Sequence, residues 1–142
     1  MTYRDRIEIS FDAGHRLLDY HGKCSSPHGH TFRAELIVSG PVLNSLGLLL
    51  DFGDVKGSVK QWIDRNWDHA FLVNSQDVEM LAGLALVAEA KVYRFEAKNP
   101  SAETMACELF GVASCELGTA LEAARIWEST TQYAEFSRSS EP

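Results

Sequence analysis

Four histidines and a cysteine fall between positions 15 and 30, three of the histidines as His15 and in Cys24-Ser25-Ser26-Pro27-His28-Gly29-His30. Three neutral imidazoles can hold Zn²⁺ at three corners of a tetrahedron and leave the fourth for a substrate oxygen. His28 and His30 are two apart, so in an extended segment both point to one side. Gly29 between them lets the backbone pass close to a metal. His15 reaches the same point if the segments carrying it and the pair are neighbours. The plainer reading is a polar turn with an ordinary surface imidazole at 15, and spacing alone leaves it open. His21 lacks a partner at a useful spacing and reads as loop surface.

Cys24 lies in a Gly/Ser/Pro loop beside Lys23. A thiol near a cation or a metal gains thiolate character and can act as a base or nucleophile; an accidental loop thiol is the alternative. Asp68-His69 sets a carboxylate against an imidazole, the setting of a proton shuttle, or simply a helix-end acid beside a loop histidine. Glu128 shares a side with Ala124 and Ile126. If those two face inward, the carboxylate does too and needs a partner, such as the paired donors of an aminopyrimidinone ring. With the opposite parity Arg125 and Trp127 are inside and Glu128 meets water.

The elements that must position these residues follow from periodicity. Arg6–Asp12 alternates polar and apolar, as does Thr31–Gly40, so both are predicted strands with one covered face. The 18 residues from 13 to 30 contain Gly14, Gly22, Pro27 and Gly29 and read as a long, functional loop carrying the histidines. A helix is predicted from about Asp54 to Arg65, with Val55, Val59, Trp62 and Ile63 on one stripe, weakened slightly by Gly57. A second runs from Asn99-Pro100-Ser101, with the proline in its first turn, to Gly118. Met105, Leu109, Val112 and Ala113 form its buried stripe, with Cys107 and Cys115 expected as packing residues. Glu103 in its first turn is favourable for dipole reasons alone. Between the helices, Asp77–Leu84 reads as a short helix and Val92–Phe95 as a short edge strand. Leu121–Ser129 and Tyr133–Arg138 form a closing hairpin around Thr130-Thr131. Runs of strands with segregated helices define an α+β domain spanning 1–142, a four-stranded antiparallel sheet with two helices on one face. Its two open edges call for covering by partner subunits. The tail 137–142 is expected to fray.

Composition excludes several classes. The 142 residues carry 13 Lys and Arg against 20 Asp and Glu, a net charge of −7 that argues against general nucleic-acid or anionic-membrane binding. No run approaches the ~18 apolar residues of a membrane span. Met1–Arg6 lacks a signal-peptide core, so a cytosolic location is expected. Three cysteines, an odd number, read as thiols and not bridges.

The chain resembles the 6-pyruvoyl-tetrahydropterin synthase superfamily, and within it the bacterial 6-carboxy-5,6,7,8-tetrahydropterin synthase branch of queuosine (7-deazaguanine) biosynthesis. Six stretches in family order carry the resemblance: Phe11–Leu17, Cys24–His30, Leu50–Phe52, Asp68-His69, Asn99–Glu103 and Trp127–Ser129. Three residues separate Cys24 from His28, the spacing of the carboxy branch; the animal pyruvoyl enzymes have two more. The resemblance implies zinc on His15, His28 and His30, Cys24 as catalytic base with His69 and Asp68, and Glu128 as pterin anchor. It implies the tunnelling fold, in which three subunits join their sheets into a barrel and two trimers stack into a hexamer with active sites at subunit interfaces. The implied substrate is 7,8-dihydroneopterin triphosphate, with Ser101 and Glu103 near it and Arg16 and Lys23 as candidates for the triphosphate. Triphosphate elimination followed by carbon–carbon cleavage would give acetaldehyde and 6-carboxytetrahydropterin. Stopping at 6-pyruvoyl-tetrahydropterin, or binding a pterin or purine without turnover, are the rival outcomes. The chain departs from the family pattern at Gly14, where alanine is usual, at Ser101-Ala102, where threonine is richer, and in a longer stretch 75–98.

Overall fold

Tyr3–His15 (β1) and His28–Gly40 (β2) pair antiparallel in unbroken register, from Tyr3 opposite Gly40 to His15 opposite His28. These elements come from a computed structural model that describes residues 1–138. Alternation sets their faces: Ile7, Ile9, Phe11 and Ala13 are buried alongside Phe32, Ala34, Leu36 and Val38. Both strands extend three residues beyond the predicted ends, so the loop is 16–27 and not 13–30. The histidines therefore sit on strand ends, a stiffer mounting than the expected loop. Glycine inside a strand gives the same local signal as glycine in a loop. Gly14 and Gly29 face each other inside the ladder, and a Cβ on Gly14 would meet the Phe71 ring at 2.8 Å. The departure from alanine at this position is thus matched to a bulky neighbour.

The sheet has six strands, not four, in the order β4-β3-β1-β2-β5-β6. Ala70–Asn74 (β3) is the strand that periodicity missed. It lies parallel to β1, and Val92–Phe95 (β4) lies parallel to β3 at the edge, so the sheet is mixed. Its Leu72 and Val73 are both buried, one on each face, which removes the alternation that marks a half-covered strand. The closing hairpin forms as expected from Leu121–Trp127 (β5) and Tyr133–Ser137 (β6). Ser137 belongs to β6, and the Arg138 guanidinium donates to Leu121 O and Gly118 O, so neither is part of a frayed tail. Residues 139–142 of that expectation lie outside the described residues.

The helical stretch 52–66 and the helix 102–117 cover the core face of the sheet. Phe52–Val55 (α1), a π-helical stretch Lys56–Lys60 containing Gly57, and Gln61–Asn66 (α2) follow without a break, burying Val55, Val59 and Ile63. Val78–Leu84 (α3) starts at Asp77, whose carboxylate accepts from Met80 N. Ala102–Leu117 (α4) is capped by Ser101 and ends at Gly118, at φ +54°. Pro100 precedes the cap and does not enter the first turn. Met105, Ala106, Leu109 and Ala113 join the sheet residues in one core, of which Trp67 is the largest fully buried side chain. Cys107 and Cys115 are exposed, so the expectation that they pack is wrong: they flank the buried stripe without belonging to it. The outer face of the sheet is ionic. Glu35, fully buried, lies between Arg6 at 3.1 Å and Arg125 at 2.9 Å.

Arg16 and Asp77 tie the end of β1 to α3. The guanidinium donates twice to the Asp77 carboxylate at 2.6 Å and once to Glu79 at 3.0 Å. The Arg16 bond holds the Asp77 carboxyl below its ordinary value against the opposing effect of burial. A depressed carboxyl pKa contributes stability above the unfolded-state value, and that contribution is lost as pH falls. Asp77→Asn is expected to cost roughly 3 kcal/mol at neutral pH. It is also expected to flatten the decline of stability below about pH 4, read from urea midpoints across pH.

Candidate metal centre

The end of the β1–β2 ladder collects the three imidazoles on the helix-covered face. His15, His28 and His30 each offer a ring nitrogen, and the three nitrogens lie within 4.8 Å of one another. His15 is 2% exposed, stacked edge-on against Phe32. Its Nδ1–H donates to Pro100 O at 2.7 Å, and the His28 Nδ1–H donates to Ser26 O at 2.7 Å. A carbonyl only accepts, so both protons belong on Nδ1 and, in neutral rings, both Nε2 lone pairs are free. Those two Nε2 atoms stand 3.1 Å apart. Two lone pairs at that distance repel unless a cation lies between them. Ligands at about 2.0–2.1 Å in a tetrahedron are separated by about 3.3 Å, so the spacing suits a metal.

For His15 and His30, burial favours the neutral ligand form. Burial pushes His15 down to about 4; the Pro100 bond opposes this, and the charges of His28 and His30 add to it. Burial also lowers His30, opposed by the Glu128 carboxylate and assisted by His28. Glu128 follows β5, and its Oε1 lies 4.0 Å from His15 Nε2. The buried Ala124 and Ile126 on the same side settle the parity that the sequence left open. Arg125 and Trp127 turn to the outer face, where Arg125 bonds Glu35 and Arg33 lies over the Trp127 ring.

Cys24 is partly buried in a short 3₁₀ turn, Lys23–Ser25. Its carbonyl accepts from Leu17 N at 2.8 Å, which ties the turn to the residues just after His15. Its sulfur is outside the group of mutually close metal-type donors. Lys23 is exposed. Arg16 is committed to two carboxylates and is not the free loop cation expected for a triphosphate. The Ser101 hydroxyl accepts from Thr104 N, and Glu103 lines a separate depression with Phe95 and Cys107.

Asp68 and His69 form the expected pair, with Asp68 Oδ2 2.9 Å from His69 Nδ1. Asp68 Oδ1 accepts from Asp12 N, and His69 N donates to Asp12 O at 2.6 Å. Burial raises the Asp68 carboxyl, but the Asp12 N–H, His69 and the Lys91 ammonium outweigh it and leave it below its ordinary value. His69 has φ +57°, a left-handed conformation rare outside glycine and asparagine, and its side chain is 77% exposed. It opens into a groove of about 620 Å³ shared with Asp12, Thr31, Phe71 and Lys91. Asp12 and Thr31 project from the outer face of the sheet, away from the core side on which the triad is mounted. The groove touches His30 at its margin, yet no hydrogen bond or ion pair among the described residues joins the dyad to the triad. One chain thus brings together His15, His28, His30 and Glu128, and holds Asp68-His69 apart from them. The carbonyls of Pro100 and Ser26, which orient the ligands, were invisible to sequence reasoning because a main-chain acceptor has no residue signature.

Fold and site together define an α+β protein with a three-imidazole metal-type centre at one end of its sheet. The sequence model of the family described as 6-pyruvoyl tetrahydropterin synthase matches residues 6–139. The chain belongs to that family. A curated relative from Rickettsia conorii, named 6-carboxy-5,6,7,8-tetrahydropterin synthase, is 37% identical over 101 residues, 71% of this chain and 72% of its own. The protein of that name from Haemophilus influenzae is 29% identical over 134 residues, covering 91% and 94%. Among solved structures, an uncharacterised protein from Wolinella succinogenes superposes with a TM-score of 0.83 at 16% identity, over 96% of this chain and 98% of that one. The Caenorhabditis elegans 6-pyruvoyl tetrahydropterin synthase superposes at 0.73 and 20% identity, over 98% and 97%. Both share the fold. No helix among the described residues is long and apolar enough to cross a membrane.

Proposed function

We propose that this protein is a cytosolic, zinc-dependent lyase. It converts 7,8-dihydroneopterin triphosphate and water to 6-carboxy-5,6,7,8-tetrahydropterin, acetaldehyde and triphosphate, a step of 7-deazaguanine (queuosine) biosynthesis. The observation that carries the reading is the convergence of His15, His28 and His30, with the Nε2 atoms of His15 and His28 facing each other at 3.1 Å beside Glu128. His15, His28 and His30 would hold the zinc, which when bound supplies Lewis-acid stabilisation of charge on a substrate oxygen. Glu128 receives the amino and ring N–H donors of the pterin and so fixes the ring beside the triad. Cys24 as thiolate removes a carbon-bound proton, and His69, oriented by Asp68, carries protons to and from oxygen. The names of the curated relatives favour the carboxy product over the pyruvoyl one.

The separation of dyad and triad across the sheet gives the reading a structural requirement. A second copy must present its Asp68 and His69 to the first copy's triad, in keeping with a hexamer of two stacked trimers whose sheets close into a barrel. Zinc-loaded protein given 7,8-dihydroneopterin triphosphate is expected to release triphosphate and acetaldehyde and to leave a product with the mass of 6-carboxytetrahydropterin. A product that keeps its three-carbon side chain would move the protein to the pyruvoyl reaction. Binding without triphosphate release would remove it from the enzymes.

A further inference from the structure

We infer that Lys91 is a positioning residue for Asp68 and His69, through which the long segment 75–98 serves the site. The inference rests on the dyad having the role proposed above.

Lys91 holds the dyad from both sides. Its ammonium donates to Asp64 O at 2.7 Å and to Asp68 O at 2.8 Å, at and just beyond the C-terminal end of α2. The last carbonyls of a helix lack partners within it, and a cation there is favourable on both hydrogen-bond and dipole grounds. The main-chain oxygen of Lys91 accepts from Phe71 N at 2.8 Å, two residues past His69. One residue thus fixes the chain immediately before and shortly after the left-handed turn at His69. A left-handed non-glycine residue costs of order 1–3 kcal/mol and persists only where its surroundings impose it. Here the restraints are Asp12, which holds the His69 N–H, and Lys91, which braces the turn. No salt bridge among the described residues neutralises the ammonium, so its charge acts on the neighbouring Asp68 carboxylate. Lys91 and the dyad's imidazole line the same groove.

The test is a cycle of Lys91→Met, His69→Ala and the double variant in zinc-loaded protein, reading triphosphate release. Lys91→Met is expected to lower kcat about tenfold with KM unchanged, the scale on which small misplacements of a reacting group act. In the His69→Ala background the same change is expected to cost nothing further, because Lys91 acts through that ring. Lys91→Arg, which keeps the charge and donors, is expected to recover part of the loss. The proton resonances of the His69 ring are expected to shift in Lys91→Met without substrate present. Full activity in Lys91→Met, or an equal further loss in the His69→Ala background, would overturn the inference. If His69→Ala itself keeps the wild-type rate, the dyad's proposed role fails. An unchanged His69 spectrum in Lys91→Met would then overturn the positioning claim as well.

Discussion

His28→Ala is expected to lose metal affinity by more than about a hundredfold, beyond what loss of a supporting hydrogen bond to a ligand costs. Turnover should fall by about 10³-fold or more, since several kcal/mol of charge stabilisation leave with the metal. His28 is the sharper test than His15. Its ring is partly exposed, so truncation leaves the core intact, whereas His15 is packed against Phe32 and its removal would open a cavity. Zinc content by atomic emission, with rate measured on the same sample, checks the expectation. A variant that keeps one zinc per chain and full rate would show that the imidazoles do not form the working centre.

Cys24→Ala is expected to bind zinc as the wild type does and to release triphosphate about 10³-fold more slowly, with KM little changed. Loss of a general base costs about 10²–10⁴-fold, and the thiol lies outside the cluster of mutually close ligand atoms. Because the Cys24 side chain is only partly buried and the turn is held through its carbonyl by Leu17 N, alanine should leave the loop in place. Wild-type release by Cys24→Ala would transfer the base to another group, with His69 the first candidate.

The parts legible in the sequence were those in which a side chain reports its own environment. Ile7, Ile9 and Phe11 announced β1, and Val55, Val59 and Ile63 announced the covering helices, because burial on one face leaves a periodic trace. The triad was legible for a related reason, since His28 and His30 share a face wherever the backbone is extended. β3 was not legible: Leu72 and Val73 are buried on both sides and leave no period. Gly14 and Gly29 give a loop signal although they lie in the ladder, because the ring of Phe71 that needs the space at Gly14 comes from a strand more than fifty residues away. The commitment of Arg16 to Asp77 was hidden in the same way, 61 positions apart. Local pattern carries no information about partners at that distance.

The back-to-back mounting of dyad and triad bears on how the protein behaves before it assembles. A lone chain carries both halves of the proposed machinery with no hydrogen bond or ion pair between them among the described residues. On the proposed function a lone copy is expected to be inactive toward the pterin triphosphate. Under that proposal self-association would be a licensing step for the chemistry as well as a cover for the sheet edges.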